Sequence, residues 1–93
     1  MYITLSPGSW IVNGTVRFAS NSTGVRRVGL STSNSGGTDP LDCQIPAGSG
    51  AIQLRTVRLF ELTAQTTYYL HAYQSSNSAL NVTSAGLYAM RIG

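Results

Sequence analysis

At 93 residues the chain makes one small domain, and its 10% of charged side chains, with a formal charge of +3, are too few and too scattered to specify nucleic acid. A single cysteine, Cys43, excludes an internal disulfide, and one histidine with three acids cannot build a thiolate or imidazole metal cluster within one copy. A chain this short buries only roughly 60–65% of its unfolded surface, so among the usual supplements to a thin core only oligomerisation remains.

No segment repeats apolar residues at helical spacing, and none is apolar over the length needed to cross a bilayer. No basic segment followed by an apolar run opens the chain, so neither a secretory leader nor membrane insertion is expected. The polar residues are mainly Ser, Thr, Asn and Gly, which favour strands and turns.

The first strand expected is Tyr2–Leu5, closed by Pro7-Gly8. From Trp10 to Phe18 the residues alternate, with Trp10, Val12, Gly14, Val16 and Phe18 on one face and Ile11, Asn13, Thr15 and Arg17 on the other. That is a half-buried antiparallel strand. A turn over Ser20–Gly24 leads to a returning strand, Val25–Ser31, and then to an exposed loop, Ser31–Pro40. Leu41–Ile45 is a short strand. Ala51–Leu62 is a long one whose alternation breaks near Thr56–Leu59, where a bulge would restore it. Thr66–Gln74, Ala79–Val82 and Gly86–Ile92 complete eight short strands without a helix, the pattern of a sandwich or barrel.

Thr66–Gln74 is unusual. Tyr68, Leu70 and Ala72 share one face and Tyr69, His71 and Tyr73 the other, so neither is strongly polar. A strand of an antiparallel sandwich should show water one polar face, so a second cover is expected from another copy of the chain.

Two runs carry a resemblance. Trp10–Leu30, WIVNGTVRFASNSTGVRRVGL, follows the pattern aromatic–apolar–x–x–G–x–V–x–F and then N-x-x-G-x-R. Tyr68–Val82, YYLHAYQSSNSALNV, follows Y-x-L-x-A-x-Q-S, a turn and a short apolar strand. Both are similar to the jelly rolls of the tumour-necrosis-factor and complement-q superfamily. They look most like the versions at the tips of bacteriophage tail fibres and receptor-binding proteins. The ending Leu87–Gly93, LYAMRIG, also looks like the terminus of such a fibre head.

The resemblance spans about Leu5 to Ile92. It implies an all-β antiparallel jelly-roll sandwich forming a homotrimer on a virion, at a tail fibre or baseplate tip, that adheres to a bacterial surface glycan or wall polymer. It implies that Tyr69, His71 and Tyr73 lie on or near the threefold axis, and that Gly24 and Arg26 shape the turn after Phe18. Val57 and Leu59 are assigned to the same trimer interface. Most members carry an additional strand before the segment that begins here, so a longer fibre is expected with this chain as its C-terminal head. The alternative is a structural module that holds three fibre chains in register and binds nothing.

Catalysis is not expected, nor is a cofactor. The sole histidine sits in an aromatic–aliphatic strand without an orienting acid, and Asp39 and Asp42 flank Pro40 in a loop, where turn chemistry accounts for them. Around a threefold axis, three copies of His71 would form a ring able to hold a metal or sense pH. An interface histidine bonded to a neighbour is the preferred reading. Ligand contacts are expected from the loops, where short polar groups lose little side-chain entropy: Asn21, Arg26, Ser33, Asn34, Asp39, Ser76 and Asn77. Tyr2, Tyr88 and Trp10 are candidate stacking faces for a sugar.

Overall fold

The computed structural model describes residues 1–33, 43–77 and 79–93. The described residues form seven strands and no helix: β1 (Tyr2–Leu5), β2 (Gly8–Phe18), β3 (Val25–Ser31), β4 (Cys43–Pro46), β5 (Ile52–Leu62), β6 (Thr66–Gln74) and β7 (Val82–Arg91). They make two antiparallel sheets packed as a sandwich, one of four strands in the order β1-β6-β3-β4 and one of three in the order β5-β2-β7.

The alternation of β2 is realised as expected. Val12, Gly14, Val16 and Phe18 are buried, and Trp10, half-buried, donates its indole N–H to the Ser6 carbonyl at 2.9 Å. Against them pack Val28 and Leu30 of β3 and Tyr68 and Leu70 of β6, in two clusters that share Leu70. The sheets approach closely at Gly14, where a Cβ would come within 2.7 Å of Leu70 Cδ1 and 3.2 Å of Thr56 Cγ2. A glycine in mid-strand loses strand propensity, and here it gains that approach.

Two expectations are corrected. β5 has no bulge: it pairs with β2 in unbroken register from Gly8↔Leu62 to Phe18↔Ile52. Its alternation looked broken because Thr56 and Arg58 take inward positions while the apolar Val57 and Leu59 face out. The stem of Arg58 lies along the core edge, with its guanidinium 4.9 Å from the centre of the Phe60 ring and one N–H directed at the Leu30 carbonyl at 3.4 Å. Long cationic chains manage burial in this way. The register shift falls elsewhere, between Arg17 and Phe18 where β2 meets β7. In place of the last two expected strands there is one, β7, which takes only Val82 from the expected Ala79–Val82 and runs on through Gly86, held in the ladder opposite Thr15. A glycine without a turn partner does not stop a strand whose backbone bonds are already satisfied by a long neighbour.

Candidate functional site

The outer face of the three-stranded sheet is apolar where it should be polar. Cross-strand register sets Leu59, Ile11 and Met90 in one row and Val57, Asn13 and Tyr88 in the next. The four residues on the flanking strands are 57–67% exposed, which makes a contiguous patch of large apolar groups rather than scattered ones. At its centre Asn13 Oδ1 is buried and has no hydrogen-bond partner, a costly state for an amide oxygen. Charge is confined to the ends of the patch, at Glu61 beside Ser9 and Arg55 beside Thr15.

Tyr69, His71 and Tyr73 lie on the other side of the molecule. They share the outer face of the four-stranded sheet with Tyr2, Ser31, Gly29 and Arg27. Val57 and Leu59 therefore cannot meet the same axis as these three, and the expected interface set divides in two. Sequence could show that both β5 and β6 carry apolar groups on two faces. It could not show that they belong to different sheets. Ile11, alone among small and polar groups on the outer face of β2, and Tyr88 and Met90, which follow Ser84 and Gly86 on that of β7, become a patch only in register.

The aromatic face is well ordered by its own contacts. Tyr2 and Tyr69 are a tilted pair with ring centroids 5.7 Å apart, and Thr4 and Thr67 share a hydroxyl hydrogen bond of 2.8 Å one row away. The Arg27 guanidinium lies 4.8 Å from the Tyr73 ring centre. His71 Nε2 is 2.8 Å from the Ser33 carbonyl, so the imidazole braces the chain leaving β3.

The loops expected to meet a ligand are at one end of the sandwich only in part. The Asn21 carboxamide accepts the Thr23 N–H at 2.9 Å, closing a turn that ends in Gly24 at φ 81°. Arg26 is wholly buried. Its guanidinium donates to the carbonyls of Asn21 (2.7 Å), Thr23 (2.9 Å) and Val25 (3.1 Å). It holds the turn from inside, as the resemblance implied, and presents nothing to a ligand. Ser76 is also buried, and both its N–H and its hydroxyl donate to Gln74 Oε1. Asn77, with φ 65°, is exposed beside it. Ser33 is away from this cluster, near His71, and Asn34 and Asp39 lie outside the described residues.

Tyr68, buried against Phe60 with ring centroids 4.1 Å apart, has its phenol pKa raised by desolvation, with nearby Arg58 opposing. Among the described residues no three His, Cys, Asp or Glu side chains come together in a way that would hold a metal ion. Comparison with protein-family models, curated proteins and solved structures gave no match.

Proposed function

We propose that this protein is a jelly-roll head of a homotrimeric fibre, of the phage tail-fibre kind, and that it adheres to a bacterial surface glycan. The strand order supports the jelly roll: five of the six connections pass from one sheet to the other, and only β3–β4 stays within a sheet. Winding of that sort is how antiparallel double sheets close on themselves.

The observation that carries the assembly is the outer face of β5-β2-β7. A domain of this size with Leu59, Ile11, Met90, Val57 and Tyr88 side by side on a solvent face has both the need and the surface for self-association. Copies would meet through this sheet, which carries the expected interface residues Val57 and Leu59. Tyr69, His71 and Tyr73 would then face outward. The reading is of a binding protein rather than an enzyme, since the only histidine is committed to a backbone carbonyl and faces no acid among the described residues.

A second reading, a register-holding cap without a ligand, is favoured by Arg26 and Ser76, two expected ligand contacts that are spent inside the fold. Fusion to an unrelated stalk separates the two. Under the leading reading the fusion sediments as a trimer and adsorbs to host envelope fractions. Trimerisation without adsorption selects the cap, and a monomeric fusion removes both.

A further inference from the structure

We propose that the outer face of the four-stranded sheet is the ligand-binding site, and that its ligand is an acidic glycan, a sugar polymer bearing carboxylate or phosphate groups. The inference rests on the assembly reading above, which turns this face outward.

The face is built along β6. Tyr69 and Tyr73 point the same way, four residues apart, so about 13 Å of strand separates them. Tyr2 extends the first end through its ring pair with Tyr69, and Arg27 extends the other through its contact with Tyr73. Tyr2 is 66% and Tyr73 44% exposed. Tyrosine rings are amphipathic plates with only two side-chain torsions, so they cover the C–H face of a sugar at low entropic cost. Mounted on strands, they are also held more firmly than residues on loops.

The charge on this face selects among sugars. Arg27 is its one permanent cation, and its guanidinium makes no hydrogen bond or ion pair among the described residues; its buried Nε is without a partner. The outward positions of the four strands, among them Tyr69, His71, Tyr73, Ser31, Arg27 and Gln44, include no acid. The only acid among the described residues, Glu61, is on the opposite sheet. A guanidinium with no ion-pair partner among the described residues, beside exposed rings, fits an anionic group on a stacked sugar, because it pairs bidentately with carboxylate or phosphate oxygens.

The test is calorimetric titration of the intact protein with polygalacturonate (carboxylate), poly(glycerol phosphate) (phosphate) and dextran (neutral). Saturable binding of one or both polyanions and none of dextran is expected; the polyanion that binds more tightly identifies the acidic group. Arg27→Gln should weaken that binding at least tenfold, and Tyr2→Ala, which removes an exposed ring, by a smaller factor. Arg55→Gln, on the opposite sheet, should leave it unchanged. Binding of neither polyanion overturns the proposal, as does equal weakening by Arg27→Gln and Arg55→Gln. Envelope adsorption that survives Arg27→Gln and Tyr2→Ala together would remove this site while leaving adhesion standing, and a monomeric wild type would remove the assembly reading instead.

Discussion

Gly14 and Leu70 face each other across the sandwich with no room between them for a methyl group: a Cβ on Gly14 would be 2.7 Å from Leu70 Cδ1. Because Cδ1 is the free end of a side chain, Leu70 can turn aside. Gly14→Ala should therefore cost only about 1 kcal/mol, and Gly14→Val about 2–3 kcal/mol as the core overpacks. Gly24 is a different case. Its φ of 81° is left-handed, and an added Cβ collides with the Ser75 carbonyl, which is backbone. Gly24→Ala should cost about 3 kcal/mol, more than Gly14→Ala. Denaturant midpoints for the three variants give the ranking, and equal losses at positions 14 and 24 would contradict it.

Removing the Arg26 guanidinium should unpin the turn rather than disturb a ligand. Arg26→Met keeps the apolar stem and leaves the carbonyls of Asn21 and Thr23 without the guanidinium, while Val25 keeps only the Ser75 N–H. A loss of about 2–3 kcal/mol is expected, since charge-assisted bonds to a buried group are the expensive ones to delete. Amide exchange over residues 21–25 should accelerate well beyond the change in global stability.

The two outer faces predict opposite outcomes for the same substitution. Leu59→Asp sets a carboxylate in the apolar patch through which copies are proposed to meet, and should give monomers that keep their strand content. Tyr73→Asp adds the same charge to the aromatic face and should leave the sedimentation coefficient of the assembly unchanged. Dissociation by Tyr73→Asp, with Leu59→Asp still assembled, would reverse the orientation proposed for the sheets.

Stability should decline in alkali through Tyr68. Burial raises its folded pKa above the ordinary value of 10.0, so the folded state holds the phenol proton more tightly than the unfolded chain. That contribution is complete below pH 10, and it is lost as pH rises from the unfolded pKa through the folded one. Thermal melts of wild type and Tyr68→Phe from pH 8 to pH 11.5 test it. The variant should show the shallower fall above pH 10.

These faces show how far the sequence can be read. The alternation of β2 identified its buried residues directly, because one strand's pleat is a local property with period two. The role of Arg26 in its turn is implied by the resemblance of the run Asn21–Arg26 and not by periodicity. β5 is less legible: an inward Arg58 and an outward Val57 and Leu59 reverse the usual polarity, and period-two alternation then calls for a bulge that the register does not contain. The division of Val57 and Leu59 from Tyr69, His71 and Tyr73 is set by pairing between strands distant in sequence. No window of the chain contains that information.

Met90 has a consequence of its own. The residue is 62% exposed in the single chain, as is Met1, which lies on the β1 side of the molecule. Peroxide converts methionine sulfurs to sulfoxides and so makes an oily contact polar. In the assembled particle Met90 should be shielded while Met1 continues to react, so the ratio of the two oxidation rates measures closure without any label. Oxidant that reaches Met90 before assembly would leave a dipole in the seam. Under the proposed assembly, newly made chains would then have a limited time in which to find one another.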